Sequence, residues 1–238
     1  MVLKQNSNDK INGIVFSISY FSSLPIRLDY FEANKKFYQG VLIGLPLVGI
    51  ILASIIIFIY NILPFYSLYS GLLSAIIYVG LTGFLHFEAV ADTIDGWYAS
   101  FSKKDIYAVM HEPQIGSIGV LGVVSFFLLE ISALVYNLYL EQFSVIFLAL
   151  ILSRLSVYFA LNFEYHNKSH FIIGLKNSIS INKILNIVFY PLKISVNFIL
   201  NTLKNRLGFL NGDTLGFLIV TIEIIILNIG LLFSNNIY

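Results

Sequence analysis

VLIGLPLVGIILASIIIFIYNIL (residues 41–63) runs from Val41 to Leu63 without one charged side chain. A helix needs about 20 mostly apolar residues to cross the hydrocarbon core of a bilayer. In lipid every backbone N–H and C=O must be satisfied within the segment, so a run of this length reads as helix and not as strand. Four similar runs follow. FYSLYSGLLSAIIYVGLTGFLHF (65–87) is set off from the first by Pro64, which reads as a tight hairpin. Residues 115–139 span with one acid, Glu130; residues 143–163 span with Arg154 inside; residues 214–233 span with Glu223 inside.

Composition agrees. The chain is 58% hydrophobic and only 11% charged, against about 25% charged residues in soluble domains. Too little polar surface is left to coat a water-soluble globule, so the lipid bilayer is the expected partner. A net charge of +1 gives no sign of a nucleic-acid partner. The absence of cysteine excludes disulfides and thiolate-metal sites. The short run INGIVFSISYF (11–21) lacks a small-x-small cleavage site and is not read as a signal peptide. It is expected to lie flat on the membrane or to begin a first helix.

Lys and Arg in short loops set orientation. Arg27, Lys35 and Lys36 precede the first span, Lys103 and Lys104 follow the second, and Lys168 and Lys176 follow the fourth. The turns near 60–70 and 138–142 carry neither residue. One topology satisfies all of this, with the N-terminus, the 88–113 loop and the 164–178 loop on the cytoplasmic side. Residues 179–203 are apolar but interrupted by Lys183, Pro191 and Lys193. They are read as a re-entrant or interfacial pair of short helices kinked near Pro191, which puts Asn211-Gly212-Asp213 on the same face. The expected fold is an all-α polytopic membrane bundle, about five to seven spans plus short re-entrant or interfacial helices, forming a single domain over 1–238.

Where the second apolar run ends, three acids appear: Glu88, Asp92 and Asp95. On a helix they fall at i, i+4 and i+7, on one face. Carboxylates crowded at a membrane lip are costly unless a cation offsets them. Magnesium takes oxygen ligands and is bound by one or two carboxylates together with substrate phosphates. Glu88, Asp92 and Asp95 are therefore candidate metal ligands; the competing reading is a solvated helix end paired with Lys103 and Lys104. Deeper in the spans, Arg154 is expected either to pair with Glu130 or Glu223, or to contact substrate. His86 is weighed as a site residue against an interface histidine, on the helix face opposite Glu88. His111, His166 and His170 are read as solvated loop residues.

Four stretches, in order, resemble the cobalamin synthase (adenosylcobinamide-GDP ribazoletransferase) family: FSISYFSSLPI (16–26), YQGVLIGLPLVGIILA (38–53), the long LTGFLHFEAVADTIDGWYASFSKKDIYAVMHEPQIGSIGVLG (81–122), and LGFLNGDTLGFLIVTIE (207–223). The third is similar to the family's Thr-Gly-x-x-His, acids, Ala-Asp-x-x-Asp-Gly signature. Glu88-Ala89 replaces the family's Asp-Gly, Ser23 stands where an Arg is common, and Gln114 and Glu130 stand where cations are usual. The resemblance implies transfer from adenosylcobinamide-GDP to alpha-ribazole or its 5′-phosphate, with GMP as the second product. It implies magnesium held by Glu88, Asp92 and Asp95, with Asp92 and Asp95 catalytic. His86, Lys103, Lys104, Arg154 and Asp213 are then substrate-binding candidates, with Asp213 either completing the metal site or holding the ribose. It implies a bacterial or archaeal cytoplasmic membrane, with the site on the cytoplasmic side; a homo-oligomer is compatible with it. The alternatives are a CDP-alcohol phosphotransferase, disfavoured because no Arg follows Asp95-Gly96 in WYAS, and a proton-coupled transporter.

Overall fold

The computed structural model describes residues 9–26, 32–102, 104–166, 170–179 and 183–234. Arg27, Lys103 and Lys168 lie outside the described residues. The apolar runs close their hydrogen bonds internally, so the described chain is built from helices: α1 (Asp9–Tyr20), α2 (Lys35–Ile62), α3 (Ser67–Leu81), α4 (Leu85–Ala99), α5 (Ile106–Val109), α6 (Ser117–Tyr139), α7 (Phe143–Ala160), α8 (His170–Ser178), α9 (Lys183–Val188), α10 (Tyr190–Leu207) and α11 (Gly212–Ser234). Among the described residues, α2, α6, α7 and α11 are long and apolar enough to cross a bilayer. The α3–α4 pair makes a fifth crossing if its two halves count as one broken span, which puts the count at the low end of the expected range.

The run 65–87 is not one helix. α3 stops at Leu81 and α4 leaves it at 77°. Gly83 and Phe84 adopt left-handed φ values of 63° and 58°. Glycine takes that conformation without cost and phenylalanine does not. The break strands carbonyls in an apolar setting, where each needs a donor. Ser23 supplies them: its backbone N–H donates to the Leu81 carbonyl at 2.7 Å and its hydroxyl to that of Gly80 at 2.9 Å.

Ser23 reaches the break because α1 runs alongside the first half of α2 in the same direction. Asn34 donates to Asp9 at one end, and the Ser17 hydroxyl donates to the Val41 carbonyl further along. Gly13, Gly40 and Gly44 let the two backbones touch, the small-residue contact that substitutes for a hydrophobic driving force between helices in lipid. α1 is thus a helix, as one of the two expectations had it, and it enters beside α2 and ends at the break.

Within 183–207 two helices, α9 and α10, meet at Phe189 beside Pro191, as expected of a pair kinked there, but α10 runs 18 residues and is not short, with Pro191 in its first turn. Pro is tolerated there because the first N–H groups of a helix lack intrahelical partners anyway. Leu192, Val196, Leu200, Leu203 and Leu207 make its buried stripe, and α10 packs on α7, α11 and α4.

The spanning helices bury two apolar clusters. One centres on Val41, Leu45, Val157, Leu203 and Leu215, the other on Leu52, Ile56, Leu134, Ile146 and Leu150. Large apolar side chains such as Phe58, Leu121, Leu128, Phe198 and Leu232 face outward, as expected where the surrounding solvent is lipid.

Candidate active site

α4 is the element that builds the site. It runs antiparallel to α6 and α11 and packs on both: Ile94 meets Gly122 and Phe87 stacks edge-on with Phe127, while Ala89 meets Gly216. A Cβ added at Gly216 would collide with the Ala89 methyl, so glycine sets how closely α11 approaches α4. That approach brings the first turn of α11 to the acids of α4. Asn211 caps α11: its side-chain oxygen accepts from the Thr214 N–H at 3.1 Å, and its own N–H donates to the Thr214 hydroxyl at 3.0 Å, a reciprocal cap of the capping-box kind. The Asn211 amide also donates to Asp213 at 2.7 Å, which fixes that carboxylate.

Glu88, Asp92 and Asp213 line a single cavity of about 290 Å³, together with His86. Among the described residues the Arg154–Glu223 pair is the one salt bridge, so no described cation pairs with these three acids. Asp92 lies within electrostatic reach of Asp213, Glu88 and Asp95. His111, exposed and in a turn as expected, also lies within electrostatic reach of both Asp92 and Asp213. Its ring stacks on Tyr107 with centroids 4.1 Å apart. Its position just after the signature's Met110 was the only hint in the sequence.

Asp95 does something else. Its two oxygens accept the backbone N–H groups of Gly116 and Gly119, each at 2.7 Å, at the start of α6. That is the place on a helix where unpaired donors and the positive dipole end favour a carboxylate. Asp95 therefore ties α4 to α6, while the acid that shares the cavity with Glu88 and Asp92 is Asp213. The carboxylate face expected from i, i+4, i+7 spacing is divided by α6, which takes the third member for itself.

The remaining candidates separate. His86 was expected on the face opposite Glu88, yet both line the cavity, which wraps the first turns of α4. His86 is buried, its ring parallel to that of Phe21 with centroids 6.5 Å apart. Lys104 lies with Asp95, Glu112 and Gln114 around a different, more open groove. Arg154 is 1% exposed and lies outside the cavity lining. Its guanidinium pairs with Glu223 and donates to the Tyr78 hydroxyl at 2.9 Å and to the Ser153 hydroxyl at 2.8 Å. Tyr78 and Ser153 in turn donate to Glu223. This buried knot joins α3, α7 and α11 beneath the site; Glu130 lies within its electrostatic reach.

Among the described residues, no three His, Asp or Glu side chains converge closely enough to form a ready-made ligand set. The donor chemistry fits a hard divalent cation nonetheless. Carboxylates from two helices face one cavity, and magnesium is commonly held by one or two carboxylates, with waters and substrate phosphates completing its shell.

A family model described as "Cobalamin-5-phosphate synthase" matches residues 13–231. Three similar proteins all carry the name adenosylcobinamide-GDP ribazoletransferase. That from Treponema denticola is 32% identical over 147 residues, which cover 61% of this chain and 55% of the relative. That from Alkaliphilus oremlandii is 24% identical over 235 residues, covering 90% and 93%. One from Acinetobacter baumannii is 35% identical over 136 residues, covering 56% and 53%. The chain thus spans little more than half the length of the first and third of these, and almost all of the second. No solved structure matches the chain.

Proposed function

The chain belongs to the cobalamin-5-phosphate synthase family, and from that premise we propose that it transfers the cobinamide phosphate of adenosylcobinamide-GDP to alpha-ribazole or its 5′-phosphate. The observation that carries the reading is the meeting of Glu88, Asp92 and Asp213 at one cavity, from two helices whose sequences bear the family's signature. A CDP-alcohol phosphotransferase is expected to show Asp-Gly-x-x-Ala-Arg, and in this chain Ser100 stands where that Arg would be.

In the reaction, a ribose hydroxyl of the acceptor attacks the phosphorus attached to the cobinamide. The bond from that phosphorus to the bridging oxygen breaks, and GMP leaves with the oxygen. Catalysis of this kind is mostly positioning and charge stabilisation. Glu88 and Asp213 would hold a magnesium ion, which when bound supplies neutralisation of the diphosphate charge. Asp92, within reach of both, takes the proton of the attacking hydroxyl. Asp95 keeps α4 seated on α6, in place of the catalytic and metal-binding roles first expected of it. The Asn211 amide aims Asp213.

The site end of the bundle faces the cytoplasm in this proposal. Lys35, Lys36, Lys104, Lys176, Lys204 and Arg206 cluster at the ends of elements that meet there, and the opposite turns at 63–66 and 140–142 carry no Lys or Arg. That asymmetry is what the positive-inside rule demands.

The test is incubation of the detergent-purified chain with adenosylcobinamide-GDP and alpha-ribazole, with and without magnesium. Expected are GMP and the joined corrinoid product in equal amounts, only with the metal. No GMP from the intact protein with both substrates and magnesium present would overturn the assignment.

A further inference from the structure

The cavity lining is of two chemical kinds. Glu88, Asp92 and Asp213 are its acids. Its apolar arm is walled by Phe21, Leu45, Val157, Phe171 and Ile219, contributed by segments far apart in the chain; Ile219 lies roughly 9 Å along α11 from Asp213. Within this apolar wall sits one buried heteroaromatic side chain, His86, 6% exposed and hydrogen-bonded to no described residue. An imidazole in such surroundings is left with a donor to offer and a flat face to stack.

Volume decides which reactant the cavity can enclose whole. About 290 Å³ is near the low end of small-molecule pockets, roughly 300 Å³ and upward. A corrin ring with its adenosyl ligand and guanosine diphosphate is several times too large. A nucleoside is of the right order, with its sugar at the acids and its base in the apolar arm.

We propose that the apolar arm of this cavity is the base subsite of the acceptor. It would take a flat, largely apolar benzimidazole between the Phe21 and Phe171 side, with His86 donating an N–H to the unsubstituted ring nitrogen. The proposal rests on the transferase reading above. Beside His86, the polar side chain in this wall is Tyr20, about half exposed, and one hydroxyl with one imidazole cannot pair the three free ring nitrogens and the exocyclic amino group of a buried adenine. A purine acceptor would therefore bury unpaired polar atoms, a situation that discriminates far more strongly than a missing methyl group does. His86 is a recognition residue here and takes no part in bond making.

Two readouts test this. The first is equilibrium dialysis of radiolabelled alpha-ribazole against the purified chain, without donor. The second is steady-state GMP release with alpha-ribazole or with the alpha-riboside of adenine as acceptor. Expected are a preference of at least tenfold in kcat/KM for alpha-ribazole, and a loss of that preference in His86→Leu. Ile219→Phe and Val157→Phe, which fill the arm from different helices, should raise the acceptor KM at least tenfold and leave the donor KM unchanged. Two such variants, each checked for an unaltered Tm, guard against misfolding of one. Equal use of the two acceptors, or a raised donor KM with unchanged ribazole binding, would overturn the subsite. Ribazole binding that the filled variants abolish, with no GMP released by any combination, would uphold the subsite and sink the transferase reading instead.

Discussion

Asp95 holds the Gly119 N–H at 2.7 Å, and through it the first turn of α6. An acid that looks catalytic by spacing is thereby joined to a helix end, while Asp92, one turn earlier, faces the cavity. The two should separate experimentally. Asp95→Ala loses a helix cap worth about 0.5–2 kcal/mol, read as a lower Tm in detergent, with Asp95→Asn recovering part of it. Asp92→Asn should leave Tm unchanged and cut kcat by about 10²-fold or more, the usual scale for a lost proton acceptor. The reverse pattern would exchange their roles.

The Ala89–Gly216 contact sets the distance between α4 and α11. Gly216→Ala forces an extra methyl into that contact, and overpacking costs about 1–3 kcal/mol. The helices should separate and move Asp213 away from Asp92, lowering GMP release. The double variant Ala89→Gly/Gly216→Ala transfers the methyl from one helix to the other and should restore most activity. Failure of that rescue would show that helix spacing is not what Gly216 controls.

Beneath the site, Arg154→Met would leave Glu223 buried without its cation. Breaking one partner of a buried pair costs about 3–5 kcal/mol. The single variant is expected to lose most of its folded fraction in a thermal melt. Arg154→Met/Glu223→Gln, which removes both charges, should melt well above it. Equal melting of the two would mean that the pair carries no such penalty.

The left-handed backbone at the α3–α4 break predicts that Gly83→Ala, at φ 63°, costs about 1–2 kcal/mol. Ser23→Ala, which keeps the backbone N–H to Leu81 and loses the hydroxyl to Gly80, should cost about 1 kcal/mol. Both are measurable as Tm shifts. Unchanged melting in Gly83→Ala would require the break to relax without strain.

Magnesium dependence has its own check. Chelation should stop GMP release, and added magnesium should restore it. In Glu88→Gln and Asp213→Asn the magnesium concentration for half-maximal rate should rise at least tenfold. An unshifted metal requirement in both would remove these carboxylates from the cation.

The helical membrane class was legible in the sequence because long charge-free runs have only one way to satisfy their backbones in lipid. So were the four spans around residues 41–63, 115–139, 143–163 and 214–233, and the placing of Asp213 at the same end as Glu88 and Asp92. What tertiary structure alone decided was which acids meet. Spacing along α4 treats Asp92 and Asp95 as equals, but whether a carboxylate faces a cavity or a neighbouring helix end depends on what packs beside it. Gly119 and Gly216, far along the chain, make that choice by letting α6 and α11 approach. The break at Gly83-Phe84 likewise rests on donors from Ser23, and Arg154 chose Glu223 over Glu130 through the geometry of α11. Periodicity reports the face on which a side chain lies; only the packed bundle determines what that face meets.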